Sequence, residues 1–256
     1  PTRSAMGCVA GAGFLTSTIG TAAESTRDYA PRERRTYRAT RIQGEAPVID
    51  GRLDDACWVS FGAWSGGFTQ QEPDEGLPAS QPTELKILYD SRYVYVAIRA
   101  YDAELESVPH LRGQRDEFTG DMVGVAFDSY HNRRTAFEFD VTSGGSKIDL
   151  QIRDEDVDLS WNAVWDVRVA QEEGAWTAEY RIPFTQLRYA RQAEQVWGLH
   201  SWRWIKRRQE ESDWNLIQMD HSGMVYEFGE LRGIEQLPPS RRIELLPYIV
   251  ARYETT

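Results

Sequence analysis

The sequence predicts an all-β fold, an antiparallel sandwich relieved by short helical turns, and three observations carry that prediction. Between Trp161 and Leu187 the chain reads W-N-A-V-W-D-V-R-V-A, an acidic pause, then A-W-T-A-E-Y-R-I-P-F-T-Q-L, with large apolar residues alternating with polar ones at the period of a half-buried strand. Nine Trp and twelve Tyr, with four Met and little sustained helical periodicity, favour pleated surfaces, where aromatic side chains pack well. Leu85 to Asp90 and Tyr93 to Tyr101 flank a three-residue turn of Asp90, Ser91 and Arg92, which reads as a hairpin.

The other elements follow in order. Residues 1–36 form a leader and linker, and the domain proper runs from 37 to 237. Pro47 to Asp50 reads as a short strand, and Asp50 or Gly51 caps a helical turn that puts Leu53, Cys57 and Trp58 on one side, so Trp58 is expected in the core. Phe61 to Thr69 is a further strand, followed by a loop rich in Pro, Gly and Glu from Gln70 to Pro82. Met122 to Asp128, Thr135 to Val141 and Lys147 to Arg153 are strands joined by tight turns, the second at Ser143-Gly144-Gly145. Pro183 ends the strand that begins near Trp176. Gln195 to Lys206 carries aromatic residues on both faces, as a strand covered on both sides would, and Asp213 to Gln218 and Tyr226 to Ile234 complete the set. Pro238 and Pro239 mark a boundary. Beyond them, 238–256 is a linker and an alternating stretch, R-R-I-E-L-L-P-Y-I-V-A-R-Y, that fits a first barrel strand or an ordinary edge strand.

A chain of 256 residues can bury a full core in one domain. With 40 acidic and 29 basic residues it is a poor partner for a phosphate backbone, so nucleic acid is not expected. Two cysteines, Cys8 and Cys57, are too few for a disulfide framework or a thiolate metal site, and Cys57 reads as a small buried hydrophobe. Arg3 and the weakly apolar run after it, with Thr21 and Ala23 at cleavage spacing, predict a truncated secretory signal; a Gly/Ala/Thr-rich tail is the alternative. Export to the periplasm or cell surface is the expectation. No stretch approaches the roughly 18 apolar residues of a spanning helix.

P-V-I-D-G-R-L-D-D-A-C-W at Pro47 to Trp58, the hairpin L-K-I-L-Y-D-S-R-Y-V-Y-V-A-I-R-A-Y, the strand G-D-M-V-G-V-A-F-D at Gly120 to Asp128, and W-T-A-E-Y-R-I-P-F occur in that order. Together they resemble the family 9 carbohydrate-binding module, over about Ile42 to Ile234. The resemblance implies an immunoglobulin-like or jelly-roll-like sandwich that binds oligo- or polysaccharide without catalysis, as an appendage to proteins of glycoside hydrolysis and carbohydrate catabolism. The chain also resembles a larger family of outer-membrane proteins in which such a module precedes a long β-barrel, which implies a covalently linked barrel as partner.

Sugar sites stack aromatic rings on the apolar faces of pyranoses and bond the hydroxyls with planar polar side chains. In the family pattern one ring precedes the Asp of the strand that here starts at Asp121, and Phe118 holds that place. The second ring follows the late aromatic strand, with Trp214 or Tyr226 nearest. Where sugar-binding members carry a carboxylate three residues after that Asp, this chain has Gly124, and Glu138 stands where a cation is expected.

Acidic residues gather at Asp149, Asp154, Glu155, Asp156 and Asp158, of which Asp154, Asp156 and Asp158 are the candidates for a structural calcium. The EF-hand spacing is lacking, and a solvated acidic turn fits as well. His200, His221, Met219 and Met224 would be the axial ligands if this sandwich held haem for electron transfer, a remote alternative. A further alternative keeps the sandwich as a plug or protein-interaction domain that binds no sugar. No Ser/His/Asp order, phosphate loop or H-E-x-x-H motif occurs, and no facing carboxylate pair for hydrolysis can be picked from sequence.

Overall fold

Wherever the sequence alternates over more than a few residues, the computed structural model has a strand. It describes residues 33–154, 156–219 and 224–237. The strands are β1 (Thr36–Arg38), β2 (Thr40–Arg41), β3 (Thr69–Glu72), β4 (Thr83–Tyr89), β5 (Tyr93–Tyr101), β6 (Met122–Asp128), β7 (Thr135–Thr142), β8 (Lys147–Arg153), β9 (Asp156–Asp158), β10 (Asp166–Glu172), β11 (Ala175–Pro183), β12 (Glu194–Ile205), β13 (Glu210–Asp213) and β14 (Gly229–Glu235). A single short helix, α1 (Ala56–Ser60), and a few 3-10 turns are the helical content of the described residues.

The strands form two sheets. The large one runs β1-β14-β12-β6-β7-β8-β9, with β13 pairing β12 and β3, and the small one runs β10-β11-β5-β4-β2. Most pairs are antiparallel, as expected, but each sheet ends in a parallel pair, β1 with β14 and β2 with β4. Alternate residues of both sheets meet in the principal core: Val123, Val125 and Phe127 of β6, Phe137 and Phe139 of β7, and Trp197 and Leu199 of β12 face Ile87, Val96, Ile98, Trp176, Ala178 and Tyr180. Trp165 stacks on Tyr180 with ring centroids 5.8 Å apart.

Three segments read as strands are not, because side chains take their backbone donors. In 47–51, Val48 N donates to Asp55 Oδ2 (3.0 Å), and Asp50 N and Gly51 N both donate to Glu179 Oε2 (3.0 Å each). Ala163 N and Val164 N donate to Asp149 and Gln186, which keeps 161–165 out of the ladder and starts β10 at Asp166. After Asp213, Ile217 N donates to Asp213 Oδ2 (3.0 Å), so the strand lies before that residue; a 3-10 turn at Lys206–Arg208 and a left-handed Gln209 (φ 50°) bring β13 back onto β12. In 61–69 only Ser65 bridges to Leu85, and the strand proper starts at Thr69.

The outer face of the small sheet is covered by α1. Trp58, Cys57 and Leu53 pack on Leu88, Tyr95 and Ala97, and the Trp58 indole donates to Glu179 Oε1 (2.8 Å). Glu179 is thus the hinge pin between two of the sequence motifs. Burial raises its carboxyl above the ordinary value, opposed by the bonds from Trp58, Gly51 and Asp50. Gly51 has φ 93° and a Cβ there would stand 2.7 Å from the Val169 carbonyl carbon, so the close approach requires glycine. Cys57 is buried, and burial pushes its thiol up to about 11, as an inert core cysteine should be.

A buried ion network ties the sheets at one end. Arg203 of β12 donates to the carbonyls of Pro82 (3.1 Å) and Tyr101 (2.8 Å), to Thr83 Oγ1 (3.2 Å) and to Asp102 Oδ2 (3.3 Å). Asp102 also accepts from Arg207 (2.5 Å), which stands 3.5 Å from Asp121. Burial lowers Arg203 to about 10 against the opposing pull of Asp102 and Asp121, which leaves it charged at neutral pH.

Candidate functional site

The outer face of the large sheet is where the strand alternation leaves residues the sandwich does not need. Rows across it follow from the register. Glu211, Trp204 and Met122 form one row; Asp213, Trp202, Gly124 and Asp140 the next; His200, Ala126 and Glu138 the third. At one end Trp204 and Phe118, both partly exposed, pack with Met122, Ile148 and Trp202. Toward the other end the face closes, because Ile217, Val225 and Phe228 pack onto Ala126, Ala136, Leu150 and Ile152.

Gly124 explains how the middle row is built. A Cβ at this position would lie 2.0 Å from Asp140 Oδ1 and 2.2 Å from Trp202 Nε1, so only glycine lets the Trp202 indole lie across β6. That indole is 1% exposed and donates to Glu138 Oε1 (2.7 Å). A side chain added at 124 must displace packed groups, at a typical overpacking cost of about 1–3 kcal/mol. Trp202 therefore forms the floor beneath the Phe118 and Trp204 rings.

The residues singled out from sequence scatter. Phe118 lies on the rim of this face and Glu138 beneath it, brought together through Trp202. Asp121 is fully buried on the core side, where it accepts from Lys206 N (3.0 Å) and faces Arg207. Burial raises its carboxyl, against the Lys206 bond and the two arginines. Trp214 is 1% exposed in the principal core, its indole donating to Ser65 Oγ (2.9 Å) and the Arg35 guanidinium 4.7 Å from its ring. Tyr226 is 53% exposed, beside the closed end of the face, with Arg34 at 4.9 Å from its ring. Trp204 was missed as a site residue. Its signal was the Trp202-Trp204 spacing, which puts two indoles on one side of β12, but nothing in the chain says which side stays open.

The acidic turn is built from pairs within itself. Asp154 is bonded to Arg134 (2.6 Å), Asp158 accepts from Ser160 N (2.9 Å) and Oγ (2.6 Å), and Asp156 lies opposite Arg153; Glu155 is outside the described residues. Among the described residues no three His, Cys, Asp or Glu side chains assemble as a metal-holding group. His200 is buried, stacked on Phe228 at 5.1 Å with Asp213 at 3.7 Å. Met219 is exposed and Met224 partly so, and His221 is outside the described residues. Residues 1–32 and 238–256, with the leader and the alternating terminal stretch, are likewise outside them.

The family described as carbohydrate family 9 binding domain-like matches residues 49–216. The chain belongs to that family. Two solved structures of a family 9 module from Caldicellulosiruptor kristjanssonii, one with cellotriose and one with glucose, each share 14% identity with it. They superpose with TM-scores of 0.56 and 0.57, over 83% of this chain and 100% of theirs. A candidate carbohydrate-binding protein from Bacteroides uniformis ATCC 8492 superposes at 0.62 with 11% identity, over 78% of this chain and 99% of that one. At such identities the likeness is one of fold. No curated protein matches by sequence. The family 9 sandwich places its motif pair, D-G-R-L-D-D-A-C-W and W-T-A-E-Y-R-I-P-F, on the small sheet, away from the Phe118 and Trp204 rings.

Proposed function

We propose that this family 9 module is a non-catalytic carbohydrate-binding domain that takes a glycan at the Phe118 end of the outer face. The observation that carries it is the pair of partly exposed rings, Phe118 and Trp204, held on a floor made by Trp202 and Met122. Two rings on a rigid floor supply the stacking surface a pyranose needs, at little cost in ordering. A broad glycan screen by calorimetry tests it. At least one oligosaccharide should bind, and Phe118→Ala and Trp204→Ala should each weaken binding by about 1–2 kcal/mol, roughly five- to thirtyfold. A screen without binding, in protein with an unchanged melting temperature, removes this reading.

A second reading has its own support. Trp202 fills the space over Gly124, and Ile217, Val225 and Phe228 cover the rest of the face, which is how a plug or protein-interaction domain without a sugar cleft would be built. The same screen separates the two.

We further propose export, in the periplasm or at the cell surface, with a linked outer-membrane barrel. The leader-like composition before residue 24 and the alternation after Pro239 support this. Fractionation of cells making the native protein should place it in the envelope; recovery in the cytosol overturns this part alone.

A further inference from the structure

At the opposite end of the same sheet, a cationic patch surrounds Tyr226. The Tyr226 carbonyl accepts from Arg34 Nη2 (3.0 Å) and Arg133 Nη1 (3.5 Å), so two guanidiniums converge on one residue whose side chain is half open to solvent. Arg133 also stands 3.5 Å from Glu230, and Arg232 bonds the same carboxylate at 2.8 Å. Among the described residues Glu230 is the one carboxylate these three arginines pair with, leaving two positive charges in excess in a chain whose net charge is −11.

The patch is held in shape before any ligand arrives. His131 (φ 53°) and Arg133 (φ 59°) sit in the left-handed region that non-glycine residues avoid, and the buried Asp128 fixes them there. Its carboxylate accepts from Asn132 N (3.1 Å) and Arg133 N (2.7 Å), and its carbonyl from His131 N (3.1 Å). His131 Nε2 lies 3.2 Å from an Arg133 nitrogen; burial and then Arg133 lower its pKa, so the imidazole is neutral at pH 7 and adds no charge. The hydrogen bond from Arg232, with help from Arg133, holds the Glu230 carboxyl below its ordinary value, as an excess of cations requires.

We propose that Arg34, Arg133, Arg232 and Tyr226 form a second ligand surface, which takes the anionic group of an acidic glycan, a uronate carboxylate or a sulfate ester. Guanidinium forks match planar carboxylates and sulfates, and the exposed Tyr226 side chain offers a ring beside them. Three arginines suit one anionic group per sugar. They are too few for a nucleic acid, whose affinity needs many phosphate contacts. Met122 and Asp128 lie six residues apart on β6, so this surface is about 20 Å from the Phe118 rings and is a separate site. The choice of glycan as the carrier rests on the reading above, and the experiment keeps the two apart.

Affinity electrophoresis of the full chain at low ionic strength uses polygalacturonate, dextran sulfate, neutral dextran and duplex DNA in the gel. Retardation by polygalacturonate or by dextran sulfate, and not by dextran, is expected, and which polyanion acts identifies the group. Arg34→Ala with Arg133→Ala should raise the apparent Kd at least tenfold, and Glu230→Gln, which removes the competing carboxylate, should lower it. Phe118→Ala with Trp204→Ala should leave acidic-glycan binding in place, so failure of the ring site and failure of this patch give different patterns. The proposal is overturned by no retardation with either acidic glycan, by equal retardation with DNA, by unchanged binding in the double arginine variant, or by weaker binding in Glu230→Gln.

Discussion

Glu179→Ala should destabilise the domain by about 3–5 kcal/mol in urea titrations. The carboxylate takes three donors, the Trp58 indole and the amides of Asp50 and Gly51, and truncation leaves them facing a cavity under α1. Buried donors left without an acceptor cost about 1–3 kcal/mol each, less what is recovered by no longer burying a carboxylate. The effect should be local as well as global. Segment 42–64, which is pinned to the small sheet largely through this residue, should become sensitive to proteolysis below the global transition. A loss under 1 kcal/mol would show that packing of Trp58, Leu53 and Leu88 holds the segment without it.

Asp102→Ala should cost a similar about 3–5 kcal/mol, for a different reason. It leaves Arg203 charged and buried among the carbonyls of Pro82 and Tyr101 with no carboxylate partner at contact. Breaking one side of a buried pair is the expensive case, whereas replacing both sides with apolar residues of similar volume is often neutral. Asp102→Leu with Arg203→Met should therefore recover most of the loss. If the double variant is as unstable as the sum of its singles, the network contributes more than the charge it neutralises, and the pairwise account fails.

Sandwich, hairpin and strand limits were largely legible because they depend on alternation and on local turns. Ala175–Pro183 is extended with Trp176, Ala178, Tyr180 and Ile182 on one side wherever it sits, and Pro183 stops it by lacking a donor. The misread segments share one cause. Residues 47–51 and 161–165 look extended, but their amides are claimed by Glu179, Asp149 and Gln186, side chains distant in sequence from at least one of the groups they hold.

Ring assignments were legible only in part for the same reason. Phe118 has its place on the rim, yet Trp214, with an equally plausible setting after the late strand, is drawn into the core by Ser65 and Arg35. The parallel edge pairs were invisible, since β1 and β2 are two- and three-residue segments whose partners, β14 and β4, no local signal names.

By itself, then, the chain determines the family, the period of each strand, the Trp58 turn and the glycines that its close approaches require. These are properties of neighbouring residues and of backbone sterics, which sequence states directly. Which side of β12 faces water, whether an indole is a platform or a floor, and where three arginines gather around Tyr226 are decided only when the sheets stack. A residue's exposure is set by what covers its second face, and in this sandwich the covering groups come from segments far away along the chain.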